Sequence, residues 1–442
     1  MGKSHRIEDQ LGVLKLLGDI GREITSSLSV EKIIKTAYDH INRLMDASSF
    51  WIGLYNEEKQ TLDYPMGIER GEHISFAYYN LSEAQWLPVW SFKNQKEIFV
   101  NDYEKEYRNY IPDAPIPKPL AGDEPRSSIW IPLFSKEKKP LGIFTIQSFE
   151  KNAYTEFHLN IVRNLALFTA IALENALLYQ ELIEKNKDIT DSINYAKKIQ
   201  NTILPSEKKI KELLPESFVY YQPKDIVSGD FYWIDRVENS EKIIVAAVDC
   251  TGHGVSGAFL TIVGSNLLNH IINEKGITNP KDIINEMNDG IIHRLSFMEG
   301  SQHTRDGMDI AICTIDKSTH KFSLLYAGAF NPLYLIRDGK LLELEAMRYN
   351  IGSIPEGEGE KINCYDLEIT KGDAIYLFSD GYADQLSHHT GKKFMKGRFK
   401  QLLLDICDQP MDQQKQILER THFDWKDKLF QTDDILVIGF RF

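Results

Sequence analysis

Four acidic turns occur in the C-terminal half of this sequence, and each adjoins an apolar run that is typical of a β-strand. They are Asp230 in SGDFYW, Asp249 in DCTGHG, Asp380 in SDGY and the pair Asp433–Asp434 in QTDDIL. Turn propensity explains any one of them alone, because Asp and Gly are ordinary turn residues. Together they indicate more, since a sheet can bring several strand ends to one edge and hard divalent cations prefer carboxylate ligands there. The four turns therefore predict strands whose ends meet at a metal site.

The glycines beside Asp249 fit the same hypothesis. The run IIVAAV ends at Asp249 and leads into the turn Gly252–His253–Gly254, ahead of an expected helix. Glycine lets the backbone approach an ion or a phosphate, so the main-chain carbonyl of Cys250 is a further candidate ligand. Two ions held about 3.5–4 Å apart at such a site polarise a phosphate and activate a water for in-line attack.

Composition limits the class of protein. A chain of 442 residues is too long for one core, so two domains with connectors are expected. The net charge of −13 argues against a general nucleic-acid binder, since affinity for a phosphate backbone needs a basic surface. The most apolar helical run, 165–178, contains Glu174 and Asn175 and falls short of the roughly 20 apolar residues of a membrane span. We therefore expect no membrane span.

The cysteines indicate a location. Their scattered positions lack CxxC spacing, which disfavours both a zinc site and a disulfide framework. They are Cys250, Cys313, Cys364 and Cys407. Together with the absence of an apolar signal core in MGKSHRIEDQ, this pattern predicts a cytoplasmic protein.

In the N-terminal half, apolar residues at three-residue steps predict helix over about 7–45, with Leu11 and Leu14 on its apolar side and a restart at Val30. A strand is expected over 50–55, and a hairpin over 129–134 and 141–147. Five prolines between residues 112 and 125 exclude regular structure there and predict a long surface loop or lid.

A long helix is expected from about Thr155 to Thr202, closed by Pro205. Two sets of residues in it are spaced by seven: Leu178, Lys185, Ser192 and Ile199, and Leu182, Ile189, Ala196 and Ile203. As a and d positions these predict a short parallel coiled coil, weakened by Lys185 and Ser192. The alternative is a helix that packs only on its own domain.

After Pro205 the pattern predicts a packed antiparallel sandwich with helices outside it, an α+β fold. Strands are expected over 243–249, 309–316, 322–327, 333–337, 374–379 and 435–440. Helices are expected over 257–272, 279–294 and 396–407. A basic cluster at the start of the last helix would attract an acidic phosphoprotein, but a solvated helix face is the favoured interpretation. Its members are Lys392, Lys393, Lys396, Arg398 and Lys400.

The segments SGDFYW, VDCTGHGVSGAFL, GMDIAICTID, YAGAFNPLYLI, FSDGYADQ and QTDDILVIGF resemble, in this order, the SpoIIE/RsbU branch of the metal-dependent type 2C (PPM) protein phosphatases. The resemblance covers about residues 192–442. It implies a serine/threonine phosphatase with two Mn²⁺ or Mg²⁺ ions. Asp230, Asp249, Asp380 and Asp433 are then the catalytic metal ligands, with Asp249 bridging and the Cys250 carbonyl assisting.

Several residues near these motifs stay open. Asp433 is preferred over Asp434 because the family's final ligand is usually the first residue of such a pair. His253 does not match the catalytic histidine of the eukaryotic relatives, so we expect it to shape the turn. Ala329–Phe330 replaces the Gly-His common in this branch, which makes Asn331 a loop-forming residue. For Asp309, a place near the site and a place at a strand end are equally expected.

The region around residues 50–174 resembles a GAF sensory domain, an α/β/α fold. The resemblance implies a possible small-molecule ligand, although packed core aromatics are the favoured interpretation of its aromatic residues. These are Trp51, Phe76, Tyr78, Tyr79, Trp86, Trp90 and Trp130. No cysteine lies in this half, which excludes a thiol-linked tetrapyrrole.

The whole chain is therefore interpreted as a sensor (1–178), a coiled-coil linker (179–205) and a phosphatase domain (206–442). By resemblance, the substrate is a phosphorylated STAS-domain or similar partner-switching protein, and the chain is a parallel homodimer. Ligand or partner binding would change the pairing of the linker helix and so complete the metal site through the helix over 257–272. The alternative function is a catalytically idle, GAF-regulated scaffold that binds a phosphoprotein.

Overall fold

The computed structural model describes residues 15–74, 77–118, 123–295, 307–317, 322–355 and 357–442. The chain divides into two compact units, residues 1–187 and 188–442. Part of the first predicted helix, with Leu11 and Leu14, lies outside the described residues, and so does Phe76.

The first unit is built on an eight-stranded antiparallel sheet. Its strands are β1 (Ser49–Asn56), β2 (Thr61–Tyr64), β3 (Gly67–Glu69), β4 (Glu72–Ile74), β5 (Ala77–Asn80), β6 (Ile98–Val100), β7 (Ser127–Phe134) and β8 (Pro140–Ser148). The order is β4-β3-β1-β8-β7-β6, and β2 pairs with β1 and β5. The helices are α1 (15–25), α2 (Val30–Leu44), α3 (Leu87–Asn94), α4 (Tyr103–Glu106) and the first part of α5 (Glu156–Ile203).

Alternation along the strands gives this sheet two different faces. Phe50 of β1 and Ile146 of β8 share a buried cluster with α1, α2 and α5. Trp51 and Trp130 point to the other face, where α3 and the chain around it form a second, aromatic cluster. The sheet is therefore covered on both sides, as an α/β/α fold requires.

Helix α5 changes character along its length. Up to Ala176 one side of the helix is buried in the core of the first unit, while Phe157 and Leu167 on the other side are exposed. Beyond that point Leu178, Leu182 and Ile189 are 58%, 55% and 57% exposed. They occupy the predicted a and d positions, so the apolar seam has no partner within the described chain.

The second unit contains two five-stranded antiparallel sheets, β10-β11-β12-β13-β16 and β15-β14-β17-β18-β9. Their strands are β9 (Ser217–Gln222), β10 (Asp230–Arg236), β11 (Lys242–Cys250), β12 (Met308–Asp316), β13 (Phe322–Ala329), β14 (Leu333–Arg337), β15 (Lys340–Leu344), β16 (Tyr365–Ile369), β17 (Ala374–Phe378) and β18 (Ile435–Arg441). The helices are α6 (Glu207–Leu213), α7 (Gly254–Asn269), α8 (Pro280–Leu295), α9 (Gly381–Asp384), α10 (Lys396–Ile406) and α11 (Met411–Lys426).

The two sheets pack face to face. Val245 and Ala311 of the first sheet meet Leu377 and Ile438 of the second in one buried cluster. Helices α7 and α8 cover the outer face of the first sheet, and α10 and α11 cover that of the second. The unit is thus a four-layer sandwich, with helices outside as the sequence predicts.

Two helices, those that begin at Glu156 and Gly254, are long and apolar enough to cross a membrane by length and composition alone. The expectation that no run reaches this length is therefore wrong. Half of the most apolar stretch of each helix is buried inside the protein, and core helices share this length and composition.

Candidate functional site

Acidic residues of three neighbouring strands lie side by side at one end of the first sheet of the sandwich. Asp230 of β10 pairs with Asp249 of β11, which pairs with Asp309 of β12. Directly opposite residues of an antiparallel ladder carry their side chains on one face, with Cβ atoms about 4.5–5.5 Å apart. Each Asp continues the alternation that buries Ala247 and Ala311 between the sheets. These three carboxylates, the carboxylate row, therefore face the gap between the sheets at its end.

The second sheet brings Asp380 and Asp433–Asp434 to the same end, because they flank the paired strands β17 and β18. Ser379 links the two sheets. Its Oγ donates to Asp230 Oδ2 at 2.5 Å and accepts from the Leu436 N–H at 3.0 Å. This buried hydroxyl fixes the Asp230 carboxylate relative to the end of β17.

The carboxylates of both sheets act on one another. Burial raises the pKa of Asp230 well above its usual range, the Ser379 hydrogen bond opposes this, and Asp434, Asp433 and Asp380 raise it further. The pKa of Asp249 is also raised well above its usual range, first by burial and then by Asp230 and Asp380. This mutual repulsion is the environment that a bound cation relieves.

Asp309 belongs to the same environment. Burial and the charge of Asp380 raise its pKa to about 7, and Lys396 opposes the rise. The pKa of Asp380 is raised by burial and by Asp384 and Asp433, again opposed by Lys396. Asp309 is thus both a strand-end residue and a neighbour of the site.

The two residues of the Asp433–Asp434 pair have different surroundings. Asp434 is 3% exposed, and its carboxylate accepts the Gly229 N–H at 2.7 Å and the Lys224 N–H at 2.7 Å. Asp433 is exposed, and among the described residues its carboxylate accepts one hydrogen bond, from the N–H of Asp434 to Oδ1. Asp434 therefore holds the loop before Asp230, which leaves Asp433 as the freer ligand of the pair.

Glycines keep the backbone close around this loop. Gly252 has φ +90°, and a Cβ on Gly229 would collide with its carbonyl oxygen. The same Cβ would lie 3.3 Å from the carbonyl oxygen of Cys250. The Cys250 thiol, in contrast, is buried in the outer cluster, and burial raises its pKa well above the usual range. Of the two groups of Cys250, the main-chain carbonyl is therefore the one available as a metal ligand.

His253 and Asn331 have local structural contacts. His253 is in extended conformation at the start of α7, and its Nδ1 lies 2.7 Å from Asp225 Oδ2. Asn331 is buried, and its carbonyl accepts the Tyr326 hydroxyl at 2.8 Å. These contacts support the turn-forming and loop-forming roles that the sequence predicts for them.

The donor set fits a hard divalent cation. It consists of carboxylate and carbonyl oxygens, which Mg²⁺ and Mn²⁺ prefer, and it contains no accessible thiolate or imidazole. Over the described ranges, however, no group of three or more His, Cys, Asp or Glu side chains is close enough together to hold an ion as it stands.

Two residues of the site, Gln200 and Ser379, gave no signal in the sequence. Gln200, on the last turns of α5, is 2% exposed. Its Nε2 donates to the Ser228 carbonyl at 2.6 Å and to Thr261 Oγ1 at 3.1 Å, and its Oε1 accepts the Ser228 N–H at 3.1 Å. Gln200 thus joins the end of α5 to the loop before Asp230 and to α7. Neither residue could be recognised in the sequence, because the hydrogen bonds of Gln200 and of Ser379 join segments that are distant along the chain.

Comparison with known proteins places the second unit in a family. Residues 239–442 match the family model described as Stage II sporulation protein E (SpoIIE), and residues 27–174 match that of the GAF domain. The solved SiaA-PP2C domain of Pseudomonas aeruginosa is 31% identical, with a TM-score of 0.52, over 58% of this chain and 98% of that domain. The chain belongs to the SpoIIE family of PP2C-type phosphatases. The predicted fold class, a GAF domain, a long helix and a PP2C-type sandwich, is confirmed.

Two curated relatives match more distantly. Phosphoserine phosphatase RsbU of Bacillus subtilis (strain 168) is 23% identical over 240 residues, 53% of this chain and 67% of RsbU. The formate hydrogenlyase transcriptional activator FhlA of Escherichia coli (strain K12) is 24% identical over 192 residues, 41% of this chain. This SpoIIE-family chain spans only 27% of the length of that activator.

The different surroundings of Asp433 and Asp434 predict different effects of their removal. Asp434→Ala leaves two backbone N–H groups without their acceptor, so we expect it to lower the free energy of unfolding by about 2–3 kcal/mol. Asp433→Ala is expected to change it by less than about 0.5 kcal/mol, as for an exposed side chain. Urea denaturation of the metal-free protein measures both. A larger loss for Asp433→Ala than for Asp434→Ala would contradict the assignment of the loop contact to Asp434.

Proposed function

We propose that this chain is a metal-dependent phosphoprotein (serine/threonine) phosphatase. One observation carries the proposal: in a chain of the SpoIIE family, carboxylates from both sheets meet at one end of the sandwich. Asp230, Asp249, Asp380 and Asp433 are the proposed catalytic residues. The alternative, an idle phosphoprotein-binding scaffold, is disfavoured because a pseudoenzyme usually loses ligands and this set is complete.

The cofactors proposed are two Mn²⁺ or Mg²⁺ ions held by Asp230, Asp249, the Cys250 carbonyl, Asp380 and Asp433. When bound, such ions polarise the phosphate and lower the pKa of an attacking water. Other residues keep the ligands in place. Ser379 orients the Asp230 carboxylate, and Asp434 fixes the loop that precedes it.

The substrate proposed is a phosphorylated STAS-domain or similar partner-switching protein. The relative RsbU is a phosphoserine phosphatase, which supports a phosphoserine substrate for this chain. The STAS domain itself rests on the resemblance of the motifs alone. The proposed location is the cytoplasm.

The site assignment predicts the effect of two substitutions. Asp249→Asn and Asp380→Asn are each expected to lower manganese-dependent phosphate release from a phosphoserine STAS protein about 100-fold or more, because each removes a charged ligand. Asp366→Asn, an exposed position on β16, is the matched control and is expected to keep full activity. Mn²⁺ is expected to raise the melting temperature of the wild type but not of Asp249→Asn. Robust metal-dependent turnover in both site variants would refute the assignment.

Regulation is proposed to pass through α5. In this proposal residues 1–178 are the sensor, 179–205 the linker and 206–442 the phosphatase, and α5 pairs with its copy in a parallel homodimer. The exposed apolar seam at Leu178, Leu182 and Ile189 supports the pairing. Gln200 supports the link to the site, because it contacts both the loop before Asp230 and Thr261 of α7.

The linker proposal is tested at its polar a positions. Lys185→Leu and Ser192→Leu are expected to tighten the dimer, since each places leucine in the seam, and to change phosphatase activity at least about threefold. Lys187→Leu places the same side chain outside the seam and is expected to change neither property. Sedimentation and phosphate release measure the two effects. A tighter dimer with unchanged activity would sink this mechanism.

A small-molecule ligand is proposed for the GAF domain. A cavity of about 180 Å³ lies on the aromatic face of its sheet, and Trp51, Tyr79, Trp86 and Trp130 are among its lining residues. Cavities of about 150 Å³ hold a benzene-sized molecule. The side chain of Thr145, between Trp51 and Trp130 in the ladder, is buried in the floor. Two of the predicted aromatic residues do not line the cavity: Tyr78 is 54% exposed, and Trp90 packs on Tyr110.

Filling the cavity tests this ligand. Thr145→Phe places a ring in the floor and is expected to displace any bound molecule. Native mass spectrometry of the chain is expected to show a bound small molecule in the wild type that Thr145→Phe lacks. If both proteins have the mass of the chain alone, the aromatic residues are a packed core and the ligand proposal is wrong.

A further inference from the structure

The basic cluster after Asp380 has members with different partners. Lys393 Nζ lies 2.6 Å from Asp384 Oδ2, and Lys400 Nζ lies 2.6 Å from Glu343 Oε2. The Arg398 guanidinium stacks over Trp425, 4.8 Å from the ring centroid. These three are engaged at the surface, as expected for a solvated helix face. Lys396 differs, because its ammonium has no hydrogen bond or ion pair with any residue that the structure describes.

The backbone of Lys396 is held against the turn that contains Asp380. Two hydrogen bonds tie the preceding residues to α9, which begins directly after Asp380, and to the residue that follows it. The Met395 N–H donates to the Ala383 carbonyl at 2.7 Å, and the Phe394 N–H to the Gln385 carbonyl at 2.9 Å. The Phe394 ring also packs edge-on against Tyr382, with 5.3 Å between centroids. Lys396, the first residue of α10, is therefore anchored relative to Asp380.

The residue before Lys396, Met395, has a strained backbone conformation that these contacts hold in place. Met395 has φ +75°, although it is not glycine, and its side chain is 59% exposed. A non-glycine residue in this region costs about 1–3 kcal/mol, and such strain concentrates at functional sites. Here it turns the chain into α10 with Lys396 at its start.

Lys396 is the member of the cluster that is both unpaired and next to the residues anchored at the Asp380 turn. The ammonium of Lys393, in the same segment, is paired with Asp384. Lys392 lies outside the anchored residues, and its carbonyl accepts the Ser387 N–H at 3.0 Å. Among the described residues of the cluster, Lys396 therefore offers an unpaired charge beside the turn that contains Asp380.

We propose that Lys396 contacts the phosphate group of the substrate at this end of the sandwich. The proposal rests on the phosphatase function proposed above. Four aspartates balance the charge of two divalent ions, and the whole chain carries −13, so net attraction of a phosphate dianion needs a further local cation. A lysine ammonium has three donors on a flexible stem and no acceptor, which suits contact with phosphate oxygens.

Lys396→Gln tests the contact, with Lys396→Arg as the conservative variant and Lys392→Gln as the matched charge control in the same segment. The full chain is titrated calorimetrically with inorganic phosphate in the presence of Mg²⁺, and KM and kcat are measured with p-nitrophenyl phosphate. In Lys396→Gln we expect phosphate binding to be about tenfold weaker and KM about tenfold higher, because one charge-assisted hydrogen bond is lost. Lys396→Arg is expected to stay within about threefold of the wild type, and Lys392→Gln to be unchanged.

The outcomes separate this proposal from the proposed function. Phosphate affinity and KM within twofold of the wild type in Lys396→Gln would overturn the contact while leaving the phosphatase intact. An equal loss of phosphate affinity in Lys392→Gln would overturn the specific contact and indicate general charge attraction. If the wild type hydrolyses no phosphate ester, the proposed function fails, and the phosphate titration alone then decides on Lys396. Melting temperatures of all variants are expected to agree, which separates a contact from a folding defect.

Discussion

Repulsion among buried and half-buried carboxylates is the constraint on which the second unit depends. Asp230, Asp249 and Asp309 sit directly opposite one another at the end of a sheet whose alternation buries apolar side chains a few residues earlier. Such a row is unfavourable without counter-charge, so the rest of the sandwich must hold it in place. Two contacts do so. The Gly229 N–H donates a hydrogen bond to the Asp434 carboxylate, and the Ser379 hydroxyl donates one to the Asp230 carboxylate.

The same constraint explains the glycines around the site. The loop before Asp230 and the turn after Asp249 approach closely enough that a Cβ on Gly229 or Gly257 would meet the Gly252 carbonyl. Close backbone approach brings main-chain oxygens into the site beside the carboxylates. The ligands therefore lie on loops whose positions are fixed by rigid strands. In this way a sheet can hold ligands from distant parts of the sequence in a defined arrangement.

Much of this was predictable from sequence, for a physical reason. Apolar runs that adjoin acidic turns predicted the positions of β11, β17 and β18, and the set of four turns predicted one shared edge. Other features depend on contacts between distant residues. Helix α7 begins at Gly254, three residues before its predicted start, because His253 is still extended. The loop contact of Asp434 and the bonds of Gln200 leave no periodicity in the sequence, so only the folded chain reveals them. The site residues stay predictions until metal and substrate are measured.

The contacts of Gln200 have a consequence for how such proteins diversify. Its hydrogen-bond partners, Ser228 and Thr261, lie within residues 188–442, so the last turns of α5 are part of the catalytic module in the structural sense. An exchange of sensor by recombination preserves this joint when the crossover falls before residue 188, provided that whole heptads are kept. A crossover beyond Gln200 would separate this residue from the loop that it holds. The permitted boundary for gene fusion is therefore set by one buried amide on a stretch of helix whose preceding residues, 188–199, are mostly exposed.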